Sequence, residues 1–94
     1  MTRRFRQFGR VDHEALADDL ILMNPDSHAV VVLNATGRLV WEALAEGASL
    51  DDLVGLFLAG APGAPPGDVR ADLAATLDRL VEAGLAVAAG DGDG

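Results

Sequence analysis

The stretch from His28 to Leu44, HAVVVLNATGRLVWEAL, constrains the fold more than any other part of the chain. Its first part, Ala29–Leu33, is an apolar and mostly β-branched run, which favours a strand. From Asn34 onward the apolar residues take helical spacing, and asparagine is a good N-cap. The sequence therefore predicts a strand that passes almost without a loop into a helix.

A second apolar run, Leu20–Met23, precedes this strand and is separated from it by Asn-Pro-Asp-Ser-His. Asparagine, proline, aspartate and serine each favour turns, so the two runs predict an antiparallel hairpin. Farther upstream we predict a first edge strand within Arg4–Val11, and the alternative there is a frayed basic tail.

Three helices are predicted after the hairpin. The first extends from its cap, Asn34, to Gly47, and its Trp41 packs the hairpin onto it. The second begins in Ser-Leu-Asp-Asp, where Ser49 is the cap and Asp52 completes a carboxylate form of the capping box.

The third helix is predicted from Asp68 to Ala83, where Gly84 stops it. The segment before it, Ala59–Gly67, holds three of the four prolines of the chain and is predicted as a loop. The apolar residues after Gly84, Leu-Ala-Val-Ala-Ala, add a short strand or pack on the core.

Strands grouped before helices indicate an α+β fold. We predict a winged helix-turn-helix-like arrangement, with a three-stranded antiparallel sheet followed by three helices. Residues 1–90 are predicted to form one domain and residues 91–94 a flexible acidic tail. No signal peptide is recognised and no run approaches the ~20 apolar residues of a membrane span, so we expect a cytoplasmic protein without membrane association.

The charge distribution disfavours nucleic acid as a partner. The net charge is −8, and the seven basic residues are all arginines, four of them within the first ten positions. From Val11 to Gly90, three arginines stand against thirteen acidic residues. Because such a body repels phosphate backbones, we expect no nucleic-acid partner, and a winged-helix DNA-binding regulator is the alternative of another class.

No pattern of residues points to catalysis. Cysteine is absent, and the two histidines, His13 and His28, fall in or beside predicted loops without the spacing of metal ligands. The adjacent carboxylates Asp18–Asp19 and Asp51–Asp52 each stand at the start of an element, where aspartate serves as a cap or a helix-dipole partner. We therefore predict a protein that is not an enzyme, with no catalytic residues, no metal and no cofactor.

The strand Ala29–Leu33 is apolar on both faces and carries neither charge nor proline. As a central strand it would simply be core. As an edge strand its open N–H and C=O groups would template pairing with another chain. Such an edge suits two kinds of partner: a peptide that is added beside a neighbouring helix, or a second copy of the chain.

The segment from Leu20 to Val87 resembles the PqqD-like proteins, also called RiPP recognition elements. The residues that match the family's pattern are Leu33, Asn34, Thr36, Trp41, Leu44 and Gly47. The later run VRADLAATLDRLVEAGL is similar to the family's third helix. The Pro-rich loop departs from the family's shorter connection.

The resemblance implies a non-catalytic protein that binds the leader of a ribosomally made precursor peptide and presents it to a leader protease or other modifying enzyme. The free-standing members of lasso-peptide clusters look most similar. A peptide chaperone for a radical SAM enzyme in pyrroloquinoline quinone-like synthesis is the alternative.

The same resemblance implies where the leader binds. It would add as a strand to the edge of the third predicted strand and pack against the third helix. The implied peptide-binding residues are Ala29, Val30, Val31, Val32, Leu33, Val69, Arg70, Leu73, Thr76 and Leu77.

Overall fold

The chain folds into short strands and three helices over residues 3–89, the part that the computed structural model describes. In chain order the elements are β1 (Arg4–Gln7), β2 (Asp12–Leu16), β3 (Asp19–Met23), β4 (Val30–Leu33), α1 (Ala35–Ala43), β5 (Ala48–Ser49), α2 (Leu50–Gly60), α3 (Pro66–Glu82) and β6 (Ala86–Ala89). The α+β prediction is confirmed. The predicted acidic tail, residues 91–94, lies outside the described residues.

The predicted hairpin is formed by β3 and β4, which pair antiparallel. Asn24 makes the turn: its side-chain oxygen accepts from the backbone N–H of Asp26 at 2.8 Å and also from that of Ser27. Its amide nitrogen donates to the carbonyl of Gly84 at 2.8 Å. The buried Asn24 side chain therefore also ties the hairpin turn to the residue that follows α3.

The third strand of this sheet is β2, which the sequence did not predict. All five of its residues are exposed, and its sequence, Asp-His-Glu-Ala-Leu, does not alternate between apolar and polar residues, so periodicity does not indicate a strand. It pairs with β3 from Leu16 opposite Asp19 onward, through a two-residue turn at Ala17 and Asp18. Ala17 has φ +54°, a left-handed conformation that is unfavourable for alanine.

The strand predicted within Arg4–Val11 is present as β1, but its predicted edge position is wrong. It is the central strand of a second sheet, in the order β5-β1-β6. β1 is joined to the C-terminal end of α1 by a hydrogen bond from Gln7 N–H to the Leu44 carbonyl at 3.1 Å, and its ladder with β6 continues with Phe8 N–H bonded to the Leu85 carbonyl at 2.8 Å. The segment after α3 thus forms a strand, β6, that pairs antiparallel with β1 at one edge of this sheet.

The caps of the first two helices are as predicted. The Asn34 side chain accepts a hydrogen bond from Gly37 N–H at 2.9 Å. Ser49 and Asp52 form a reciprocal capping box at the start of α2. The backbone N–H of Ser49, then its side chain, and in addition the Arg4 guanidinium hold the pKa of the Asp52 carboxyl below its ordinary value.

The third helix differs from the prediction at its start and agrees at its end. It begins at Pro66 instead of Asp68, because proline is accommodated in the first helical turn, where its missing N–H would have no partner. At the other end Gly84 adopts φ +74°. Gly84 N–H bonds to the Val81 carbonyl and Leu85 N–H to the Leu80 carbonyl, which is the Schellman arrangement.

The core between the sheets and helices is built mainly of leucine. Its fully buried side chains are Leu22, Leu33, Val40, Leu44, Leu53, Leu73, Leu77, Leu80 and Leu85. Trp41 is buried with them, at 6% exposure. Within residues 3–89 there is no helix with the length and apolar character needed to cross a membrane.

Candidate functional site

β4 lies at the edge of its sheet, because the strand order is β2-β3-β4. Among the described residues no further strand pairs with its outer side. The alternative of a central, fully enclosed strand is therefore wrong. A short apolar strand with one open edge is the feature from which the site is built.

The register shows which backbone groups of β4 are already used. By continuation of the ladder Asn24 is opposite Ala29, and its N–H donates to the Ala29 carbonyl at 2.9 Å. In an antiparallel ladder, hydrogen-bonded and non-hydrogen-bonded pairs alternate. Val31 and Leu33 are thus in hydrogen-bonded pairs, with their N–H and C=O groups directed at β3.

Val30 and Val32 occupy the alternate positions, so their N–H and C=O groups point away from β3 toward the open edge. The described residues supply neither of them with a hydrogen-bond partner on that side. The side chains are also exposed, by 57% for Val30 and 52% for Val32. The edge therefore presents two donors and two acceptors in the spacing that an added strand requires.

A groove of about 410 Å³ lies between the end of β4, the first turn of α1 and one face of α3. We call it the β4–α3 groove. Its lining residues are Asp19, Val32, Leu33, Asn34, Thr36, Gly37, Asp72, Ala75, Thr76 and Arg79. An extended chain paired with β4 would have α3 along its other side.

The structure brings only some of the implied peptide-binding residues to this groove. From the strand, Val32 and Leu33 line it. Val30 is on the open edge, and Val31 is half-buried against the core. Ala29 precedes the strand, where its carbonyl is bonded within the hairpin turn.

Of the five implied helix positions, Thr76 alone lines the groove. Leu73 and Leu77 are buried in the core, at 1% and 2% exposure, and Val69 packs against it. Arg70 lies on the opposite side of α3, where it forms an ion pair with Asp51 of α2.

The physical reason is the rotation of α3 about its axis. The core takes the stripe with the largest apolar side chains, which contains Leu73, Leu77 and Leu80. The groove takes the neighbouring stripe, where Asp72, Ala75, Thr76 and Arg79 follow at helical spacing. Small residues between charged ones, next to the apolar stripe, are the sequence signal that could have identified this face.

The close passage from β4 into α1 depends on Gly37. A Cβ atom at this position would lie 3.0 Å from Cδ2 and 3.1 Å from Cβ of Leu33. Because glycine lacks that atom, the first turn of α1 packs directly on the last residue of the strand. The floor of the groove is thus fixed by the Leu33–Gly37 contact.

A second opening adjoins the groove at the end where β4 passes into α1. It lies between α1 and α2, has a volume of about 410 Å³ and is mostly apolar. Its residues are Thr36, Leu39, Leu56, Phe57, Gly60 and Ala61, so Thr36 borders both openings. Leu39 and Leu56 are more than half exposed. We call it the α1–α2 pocket.

The groove carries no arrangement typical of catalysis. Within residues 3–89 no three histidine, aspartate or glutamate side chains are grouped so that they could hold a metal ion. The charged groups that line the groove are Asp19, Asp72 and Arg79, and no histidine, serine or cysteine lies among its described lining residues to form a nucleophile–base pair. The groups that the site offers are suited to binding.

Comparison with known protein families gives a match over most of the chain. Residues 19–86 match the family described as coenzyme PQQ synthesis protein D (PqqD). The chain belongs to the PqqD family. The predicted family, with its RiPP recognition element fold, is thereby confirmed. No curated protein matches the chain.

Two solved structures share the fold over nearly the whole chain. TbiB1 in complex with the TbiA(beta) leader peptide has a TM-score of 0.76 and 22% sequence identity, covering 92% of this chain and 99% of TbiB1. Lasso peptide synthetase B1 complexed with the leader peptide has a TM-score of 0.72 and 26% identity, covering 88% of this chain and 96% of that protein. This PqqD family member is thus similar in fold and extent to two proteins that were solved with leader peptides.

Proposed function

We propose that this chain is a non-catalytic, leader-peptide-binding protein of a pathway that modifies ribosomally made peptides, and that it serves lasso-peptide maturation. The leader adds as a strand to β4 and lies in the β4–α3 groove. The observation that carries the proposal is the outward direction of the backbone groups of Val30 and Val32 at an edge bordered by α3. Two structural neighbours solved with leader peptides support it.

The backbone alone does not supply the required affinity. Four added hydrogen bonds contribute roughly 2–6 kcal/mol, at about 0.5–1.5 kcal/mol each. A micromolar complex needs a net binding free energy of about 8 kcal/mol, and the cost of ordering the peptide must be offset in addition. Side chains of the leader must therefore bind in the groove and, where the leader extends past β4, on the apolar surface of Leu39 and Leu56.

The proposed action is positional. A leader held on β4 keeps the attached core peptide close to the enzyme that cleaves or modifies it, which raises the effective concentration of the two groups. The partners are then the precursor leader and a leader protease or other modifying enzyme. The name of the matched family supports the alternative, in which the enzyme served is a radical SAM enzyme of pyrroloquinoline quinone-like synthesis.

A DNA-binding role is disfavoured by the charges of α3. The helix carries Asp68, Asp72, Asp78 and Glu82 against two arginines, and Arg70 is already paired with Asp51. A helix with this balance gains little from counterion release in a major groove.

The test takes candidate leaders from short open reading frames near this chain's gene, labels each synthetic peptide with fluorescein, and uses a scrambled peptide as control. Fluorescence anisotropy should show saturable binding of the leader only. Adding the chain should also accelerate cleavage of the full precursor by a leader protease of the same pathway. Binding of both peptides with equal affinity, or of neither by a folded chain, would refute the proposal.

A further inference from the structure

The β4–α3 groove has opposite charges at its two ends. α3 runs roughly antiparallel to β4: the residue just after the helix, Gly84, is bonded to Asn24 beside the start of β4, and the earlier segment 72–79 lines the groove with the end of β4. The N-terminal part of α3, with Asp72, is therefore near the end of β4, and Arg79 is nearer its start. Asp19 adds a second carboxylate at the Asp72 end, because it is opposite Asn34 by continuation of the ladder.

These charged side chains are not neutralised by their own protein. Among the described residues the ion pairs are Arg4–Asp52, Arg10–Asp26, Arg38–Glu42 and Arg70–Asp51. Asp19, Asp72 and Arg79 take part in none of them, although all three line one groove. Of the two arginines of α3, Arg70 on the opposite side is paired with Asp51, whereas Arg79 on the groove face is in none of these ion pairs.

We propose that this charge order selects the sequence and direction of the bound peptide: a basic residue seated near Asp19 and Asp72, and an acidic residue seated near Arg79. The inference rests on the proposed function and names the class of leader that the groove accepts. Because antiparallel pairing is the more stable kind, the peptide runs opposite to β4. Its basic residue then precedes its acidic residue.

Helix and strand geometry set the distance between the two peptide residues. Asp72 and Arg79 are seven residues apart, which is about 10 Å along a helix at 1.5 Å per residue. A strand advances about 3.3 Å per residue, so this distance corresponds to about three residues. Since side chains alternate between the two faces of a strand, the matching residues are two or four positions apart.

A displayed library of random 12-residue peptides provides an unbiased probe. It is sorted against the wild-type chain and against the charge-swapped double variant Asp72→Arg with Arg79→Asp, which has the same net charge. Peptides enriched by the wild type should carry Lys or Arg two or four positions before Asp or Glu. The double variant should enrich the reverse order, and Arg70→Ala should leave the wild-type pattern unchanged.

The leading peptide is then synthesised together with a twin in which the basic and acidic residues exchange places. The two have equal net charge, so the general attraction of basic peptides to an acidic protein cancels. Anisotropy should show the wild type preferring the first by roughly 2–30-fold at low salt, the range for two exposed ion pairs. The preference should shrink in added salt and reverse in the double variant.

The outcomes separate this inference from the proposed function. Peptides enriched without a charge order, in the opposite order, or in the same order for both proteins would overturn the charge selection and leave leader binding standing. If the wild-type chain enriches no peptide more strongly than the Val32→Pro variant does, the proposed addition of a peptide strand to β4 is itself refuted.

Discussion

Replacing Val32 with proline tests the backbone geometry of the site. The Val32 N–H points to the open edge, so proline at this position removes a donor that β3 does not use. Proline is tolerated on an edge strand when its missing N–H faces solvent. Val31→Pro removes an N–H that is directed at β3, and this variant should lose stability instead.

The magnitude follows from the unpaired group that the variant leaves in the complex. A peptide carbonyl that loses its donor at a buried interface costs about 1–3 kcal/mol. At 1.4 kcal/mol for each factor of ten, the leader should bind roughly 5–150-fold more weakly. Val32→Thr has nearly the same shape and keeps the N–H, so it is the matched control and should bind the leader more tightly than Val32→Pro.

The assay combines anisotropy titration of the labelled leader with urea unfolding of each variant. A Val32→Pro chain that unfolds at nearly the wild-type urea concentration and binds as tightly as Val32→Thr would refute the assignment of the outward groups. So would a Val31→Pro chain of undiminished stability.

Three further predictions concern the scaffold. Gly37→Ala should lower the free energy of unfolding by about 1–2 kcal/mol, because overpacking against Leu33 outweighs the gain in helix propensity. Its matched control, Gly55→Ala in α2, meets no atom within 4 Å and should raise stability by about 0.5–1 kcal/mol. Ala17→Gly should stabilise the β2–β3 turn by up to about 1 kcal/mol, because glycine accepts the left-handed conformation. The lowered pKa of Asp52 predicts a stabilisation of the folded state that is complete above roughly pH 4 and is lost as the pH falls through the folded-state pKa. Urea unfolding at several pH values should therefore show the stability of Asp52→Asn approaching that of wild type in acid.

Each of these has a contradicting result. Equal changes in unfolding free energy for Gly37→Ala and Gly55→Ala would mean that a side chain at position 37 does not overpack against Leu33. An unchanged or lower stability of the Ala17 variant would show that the turn is not strained. If the difference in unfolding free energy between wild type and Asp52→Asn stays constant through the acid range, the hydrogen bonds from Ser49 are not what lowers the pKa of Asp52.

The parts of the fold that could be predicted are those with local signals. The caps Asn34 and Ser49 and the turn residue Asn24 make their hydrogen bonds within three residues, so the sequence itself identifies them. β2 has no such signal. It is held by pairing with β3 alone and buries no side chain, so neither periodicity nor composition marks it.

The division into two sheets and the rotation of α3 depend on contacts between distant segments. β1 pairs with β6, which is about eighty residues away, and no local pattern indicates that choice. The strand edge of the site could be predicted from Ala29–Leu33, because an uncharged apolar run is visible in the sequence. The helix face was predicted incorrectly, because the most apolar stripe, with Leu73 and Leu77, is taken by the core and the groove uses the less apolar stripe beside it.

The most direct test of leader addition to β4 is amide hydrogen exchange of its residues, measured by NMR with and without the leader. In the free chain the amides of Val30 and Val32 should exchange rapidly, while the Val31 amide, bonded to β3, exchanges slowly. Saturating leader should slow the exchange of Val30 and Val32 and leave Val31 nearly unchanged. A leader that binds tightly without protecting these two amides would contradict the account.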